Sequence, residues 1–429
     1  MKYVIVALIG ALASVLANKG VAVFNDGLRP IMPEYLEGRM NKRGLAATSF
    51  ALSFGLVIGF GIPVSITASI LLIHSILLGT DIIGTWSPEG KKGIIISGII
   101  GAIYGIGLVV GLQFIVNIFS KLPIDVLSSL GQVGTPIVAA FAVFPAIVVA
   151  YQYGFKKGII TLVISFLVRQ IIEYYGKFNI GDATVSLNAE GMALLTGMII
   201  MIIYAMKEKS DTNTQTADLT ALFSGRVERI RKNIPYLAVM GGLVAAGTSM
   251  SLIAGDPISL NLLAEGKNLE AGLTALARGI GFIPLVGTTA IATGVYGPVG
   301  MTFVFAVGLL IKNPVLSFIV GGAVITLEVM LLDVIAKFLD KFPGMRKCGD
   351  NIRTAMSKVL EIALLIGGMM AAYSMAANLG LFIVIGLYIL NKTSKKPIVD
   401  MAVGPVGAIF VGILINVLYL IGLYFPAAG

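Results

Sequence analysis

The chain has one cysteine, Cys348, which excludes an internal disulfide and any cluster of thiolate metal ligands. It has one histidine, His74, so a multi-histidine metal site is excluded as well. A lone imidazole inside an apolar run reads first as a packed helix residue. Charge is scarce, at 12% of residues, where a soluble domain carries about a quarter. No GxxxxGK[ST] phosphate loop is present, so the chain does not use ATP through its own residues. An aspartyl-phosphorylation segment, a dinucleotide fingerprint and a TVGYG-like potassium filter are also missing.

What is present is apolar. Hydrophobic residues make up 57% of the chain and the mean hydropathy is +0.95. Apolar runs recur from end to end, so the expectation is an all-α polytopic membrane protein forming one integral domain, residues 1–429. The first 17 residues mimic a signal peptide, with Lys2, an apolar core and Ala11-Leu12-Ala13. We read them as a retained first membrane helix. The net charge of +9 does not point to nucleic acid, because the basic residues are spread over short loops between apolar runs.

With roughly 20 residues needed per span, up to fourteen segments can be drawn, falling to ten or eleven if some pair as re-entrant hairpins. Six connections (19–43, 80–92, 152–157, 207–233, 337–353 and 391–397) hold 23 Lys or Arg, against five on the opposite side. The positive-inside rule then places these connections in the cytoplasm and both termini outside. It also requires residues 44–79 to be two segments, split at Gly61-Ile62-Pro63. The long polar stretch 207–233 separates a first half, 1–206, from a second half, 234–429, with seven segments each. An odd number per half would invert the second half relative to the first, the plan of many secondary transporters with broken helices. Residue-level similarity between the halves is not evident.

Four features stand out as candidate sites. ARGIGFIPLVGTTAIATGVYGPVG (277–300) carries six glycines, two prolines, three threonines and Arg278 in an otherwise apolar segment. A helix broken at Pro284 or Gly287 would free backbone amides for an anion, with Arg278, Thr288, Thr289 and Thr293 alongside. Close helix packing uses the same small residues. LPIDVLSSLGQVGTP (122–136) offers Asp125 and Thr135 as lining of a cavity mouth, or simply a capped external loop. FNDGLRPIMPEYLEGRMNKR (24–43) is dense in charge; Asp26 and Arg29 are candidate gate residues, with a solvated interfacial loop as the plainer reading. Among intramembrane charges, Arg169/Glu173 and Lys358/Glu361 can neutralise themselves within one helix. Glu328 has no such neighbour. It can bind a coupling cation, take up a proton or pair with Arg278 as its counter-charge.

At VFNDGLRPIMPEYLEGRMNKR, LPIDVLSSLG and RGIGFIPLVGTTAIATGVYG the chain resembles the YhfT family of bacterial inner-membrane proteins. The likeness runs nearly end to end and includes KKPIVDMAVGPVGAIFVGILINVLY. It implies a transport protein and brings no assigned substrate or site residues. Relatives encoded beside enzymes of small-metabolite metabolism imply a small polar or anionic organic solute.

The expectation is therefore a secondary active transporter of the inner membrane rather than an enzyme. It would need no cofactor beyond a coupling H+ or Na+, and would work as an elevator-like homodimer in the lipid bilayer. Two rivals are a membrane component of a phosphotransferase-like system and an intramembrane enzyme acting on lipid-linked substrate. The first lacks a cysteine or histidine placed to carry a phosphoryl group, and the second lacks a convincing catalytic dyad.

Overall fold

The computed structural model describes residues 2–57, 61–62, 65, 70–119, 121–181, 183–208, 222–297, 302–395, 397–398 and 400–425. The chain is all-α, and among the described residues six helices are long and apolar enough to cross a membrane. The first half holds α1 (Lys2–Asn18), α2 (Lys42–Leu56), α3 (Ile73–Trp86), α4 (Gly90–Phe119), α5 (Thr135–Tyr153), α6 (Phe155–Tyr175) and α7 (Ala189–Lys207). A short basic helix, α8 (Leu222–Arg231), precedes α9 (Ile234–Ser249), α10 (Pro257–Ala264), α11 (Asn268–Thr293), α12 (Thr302–Leu310), α13 (Pro314–Leu339), α14 (Pro343–Thr393) and α15 (Asp400–Leu420).

α14 is two helices in one. Ala376 and Ala377 leave helical geometry, Ala377 at φ 44. A Cβ on Gly380 would overlap the Ala372 carbonyl, so the chain doubles back on itself. Tyr388 and Lys392 consequently reach Glu361 at 2.7 and 3.0 Å, adding to the expected Lys358 contact at 3.1 Å. α5 and α6 make a similar hairpin, turning at Gly154 (φ 90).

Helix packing follows one order in both halves. α1 lies on α3 and α4, and α9 lies on α12 and α13; α2 packs on α3, and α11 on α12. The closest contacts match too. A Cβ on Gly10 or Gly101 would overlap the other's carbonyl, and on Gly241 or Gly321 it would meet the other's carbonyl at 3.0 or 2.8 Å. Small residues let both helix pairs approach backbone to backbone, where dispersion replaces a hydrophobic drive that lipid does not supply. Between the halves, α1 meets α9, α5 meets α14, α7 meets α11 and α15 meets α2.

Extended backbone occurs at two crossings between the halves. β1 (Leu71–Leu72) pairs in parallel with β4 (Ile253–Ala254), and Ala22 bridges in parallel to Tyr296. A separate hairpin, β2 (Lys177–Ile180), exposed throughout, with β3 (Ala183–Ser186), which buries Val185, joins α6 to α7.

The expected break at Pro284 or Gly287 is not where the chain breaks. α11 continues through both residues to Thr293 and stops at Gly294, whose left-handed backbone (φ 66) caps the helix with its N–H on the Ala290 carbonyl. Proline costs a helix one hydrogen bond and a kink, and membrane helices absorb this. A left-handed glycine ends the helix outright. Of the expected split at Gly61-Ile62-Pro63, Pro63 lies outside the described residues; α2 ends before the split and α3 begins after it.

Side chains join five of the six basic connections into one face. Tyr35 donates to Glu89 (2.5 Å), Glu37 lies 3.8 Å from Arg226, and Lys19 donates to Asn233 (2.8 Å). Gln152 and Lys347 both reach Glu208, at 2.9 and 2.7 Å. Arg39 on this face holds the Glu34 carboxyl below the usual carboxylate range.

Candidate functional site

After Gly294 the backbone of Val295 and Tyr296 has no helix to bond within. Its polar groups are taken up by the segment that follows α1: Tyr296 N donates to Val21 O (3.0 Å) and Val23 N to Tyr296 O (3.1 Å). Two broken segments thus satisfy one another where lipid offers no partner. At the other crossing Leu71 N donates to Leu252 O (3.0 Å).

The bridge at Tyr296 adjoins a cluster of buried polar side chains. Asp81, fully buried on α3, accepts from Phe24 N (2.9 Å) and Asn25 N (2.6 Å). Asn25 folds over its own turn, accepting from Gly27 N (2.8 Å) and donating to Ser53 on α2 (3.0 Å). Arg29, 1% exposed, pairs with Asp26 and donates from Nη1 to the Thr289 hydroxyl (2.5 Å) on α11. Gly297 leaves the guanidinium its room, since a Cβ there would overlap Arg29 Cζ. Thr293 donates to the Thr289 carbonyl (2.6 Å) and accepts from Val295 N (3.2 Å), tying the end of α11 to the break. The Tyr296 ring, with no exposure, brings its hydroxyl beside Glu328 of α13.

Hydrogen bonding in this cluster is incomplete. Arg29 Nε, Tyr296 Oη and both carboxylate oxygens of Glu328 are buried with no hydrogen-bond partner among the described residues. Buried polar groups in native proteins are nearly always partnered, so orphans gathered in one place mark strain or a missing ligand. Asp26 and Asp81 both act on the Arg29 guanidinium, and Tyr296 stands close to both Arg29 and Glu328.

The structure brings Asp26, Arg29, Thr289, Thr293 and Glu328 together. Thr288 lies on α11, but its side chain is outside the described residues. Arg278 is elsewhere, and its expected pairing with Glu328 is corrected. It pairs with Asp256 at 3.3 Å, near His74 and the β1–β4 crossing. Asp256 reaches it because it caps α10, accepting from Ile258 N and Ser259 N at 2.9 and 3.0 Å. Asp125 and Thr135 are exposed at a third place, where Asp125 accepts from Ser128 N (3.2 Å). Arg169 lies 3.8 Å from Glu173 but reaches Glu190 on α7 at 2.8 Å, so its main partner is on another helix.

Sequence reasoning misses Asp81, Tyr296 and Ser53. Asp81 falls at the edge of a connection drawn from residue 80, although it sits in the apolar run IHSILLGTDIIGTW. A carboxylate in such a run is a site signal in its own right. Tyr296 belongs to a segment whose threonines and Arg278 are the more conspicuous polar groups, and its ring reads as one more apolar residue.

The arrangement defines a class: a polytopic helical membrane protein whose interrupted segments meet at a buried cluster of charged and polar side chains. The chain belongs to the YhfT family, described as a protein of unknown function, whose profile matches residues 2–424. It is similar to the uncharacterized protein YhfT of Escherichia coli (strain K12), at 36% identity over 442 residues spanning 100% of this chain and 99% of that one. No solved structure matches the chain.

Proposed function

We propose that this protein is a secondary active transporter of the bacterial inner membrane, carrying a small polar or anionic metabolite by alternating access. The observation that supports it best is the paired crossing of extended segments between the two halves. α1 to α7 answer in order to α9, α11, α12, α13, the two limbs of α14, and α15, leaving α8 and α10 as additions. The shared helix packing and the matching glycine contacts support the same correspondence. Seven crossings per half turn the second half over, as in inverted-repeat carriers whose discontinuous helices meet at the solute site. Both termini then face outward, and the joined basic connections face the cytoplasm.

In this reading Arg29 anchors an anionic group of the solute in exchange for Asp26, with Asn25, Thr289 and Tyr296 as further polar contacts. Opposing movement of the halves opens the Ala22–Tyr296 crossing on one side and the β1–β4 crossing on the other. An elevator-like movement within a homodimer is the accompanying proposal.

The test is a thermal-shift screen of purified protein against a metabolite library, followed by uptake of each hit into proteoliposomes. A ligand of the folded state raises its midpoint by mass action. Thr289→Val and Arg29→Lys are expected to lower both the shift and the uptake at least tenfold while gel filtration stays unchanged. A hit transported equally well by both variants would overturn the site. A protein that binds hits and transports none would overturn the function.

A further inference from the structure

The buried polar cluster contains a carboxylate that the solute reading does not use. Glu328 projects from the middle of α13, and neither of its oxygens has a hydrogen-bond donor among the described residues. Its neighbour is the Tyr296 hydroxyl, which also lies close to the Arg29 guanidinium; among the described residues that hydroxyl and Arg29 Nε have no hydrogen-bond partner either. Resting on the transporter reading, we propose that Glu328 is the proton-binding residue of the transport cycle and that Tyr296 links its charge to Arg29.

Three observations favour a proton over a sodium ion. An ionised carboxylate at membrane depth needs a donor or a counter-ion, and Glu328 has neither within its own helix. Sodium needs a shell of oxygens, whereas the unpartnered buried side-chain oxygens here, among the described residues, are the two of Glu328 and the one of Tyr296. The guanidinium of Arg29, close to the same tyrosine, repels a second cation but not a neutral carboxylic acid.

The elements around α13 supply little else that titrates near Glu328. α12, sequence TFVFAVGLL, has no ionisable side chain. α9 carries only Tyr236, which lies under the Lys19 ammonium. α8 brings Arg231, which reaches Asp333 at 3.3 Å where Lys337 also binds at 2.7 Å, and Glu228, which pairs with Lys232 at 3.2 Å. Its Arg226 and Arg229 donate to the Ala292 and Gly294 carbonyls at the end of α11. α11 itself presents Tyr296 from the break beyond its last turn.

The proton cycle follows from this geometry. A proton from water on the open side binds one Glu328 oxygen, and the neutral acid donates its hydrogen to Tyr296 Oη. When the proton leaves to water on the other side, the carboxylate becomes a rival to Asp26 for the Arg29 guanidinium. Drawing Arg29 toward Glu328 removes its bond to Thr289 and loosens the Ala22–Tyr296 crossing. Loss of the proton and opening of that crossing are therefore one event.

The experiment is infrared difference spectroscopy on the purified full chain without solute, stepping between mildly acidic and alkaline buffer. The wild type is expected to show the carbonyl stretch of a protonated carboxylic acid, lost in Glu328→Gln and shifted in frequency in Tyr296→Phe. If Glu328→Gln does not fold, the Tyr296→Phe shift alone decides. No difference between wild type and variants overturns the proposal. So does a band removed by sodium at constant pH, which would make the ion sodium. The measurement involves no solute, so it succeeds or fails independently of the uptake test.

Discussion

At the scale of single residues, the buried polar cluster depends on a glycine that touches a charge. Gly297 has no side chain because Arg29 occupies the space a Cβ would need. Gly287, in the same segment, sits inside α11, and a Cβ added there would meet nothing within 4 Å. The two glycines of one stretch therefore have opposite roles. Gly297→Ala is expected to cost about 1–3 kcal/mol through overpacking against the guanidinium. Gly287→Ala is expected to be neutral or to stabilise by about 0.5–1 kcal/mol, as alanine does in a helix interior. Thermal unfolding of the two variants side by side reads the difference. Equal midpoints would mean that Arg29 is not held against Gly297.

Residue identity alone could not reveal this contrast, because both glycines look the same in the sequence. Arg278 illustrates the same limit from the other side. Its partner Asp256 is 22 positions away and arrives only because α10 is capped by that aspartate. The unpartnered state of Glu328 was legible, since no opposite charge lies at helical spacing along α13. Which neighbour it meets required the fold.

At the scale of elements, the packing logic is glycine against carbonyl. α1 touches α4 through Gly10 and Gly101, and α9 touches α13 through Gly241 and Gly321. Large side chains there must push the helices apart, and membrane helices so separated lose dispersion contacts that nothing else replaces. Gly101→Leu and Gly321→Leu are each expected to abolish the monodisperse gel-filtration peak or lower the midpoint severely. Gly107→Leu and Gly111→Leu, on α4 with open space at both positions, are the controls expected to leave it intact. Tolerance of leucine at 101 and 321 would contradict these close approaches. The apolar runs and most of their limits were legible because a span announces itself by length. The place of the helix break was not. Proline draws attention as a breaker, but the surroundings decide whether a helix bends or ends, and here Gly294 ends it.

At the scale of the whole molecule, the question is whether the two crossings are gates. The Ala22–Tyr296 bridge lies among the joined basic connections, with Arg226 and Arg229 of α8 donating to the carbonyls just before it. The β1–β4 pair lies beside the Asp256–Arg278 ion pair, away from that charged face. A carrier working by alternating access must separate one crossing while keeping the other closed. Leu71 and Ile253 are buried and directly paired, so Leu71→Cys with Ile253→Cys can place two thiols within bridging distance. Cys348 is buried elsewhere and can be replaced by alanine to leave a clean background. Oxidation of the double variant is expected to stop uptake of any hit from the thermal-shift screen, and reduction is expected to restore it. The single variants should transport under both conditions. If the oxidised, cross-linked protein still carries solute at the rate of the reduced one, the β1–β4 crossing does not move during transport. The shared helix packing of the halves would then be architecture without alternating access.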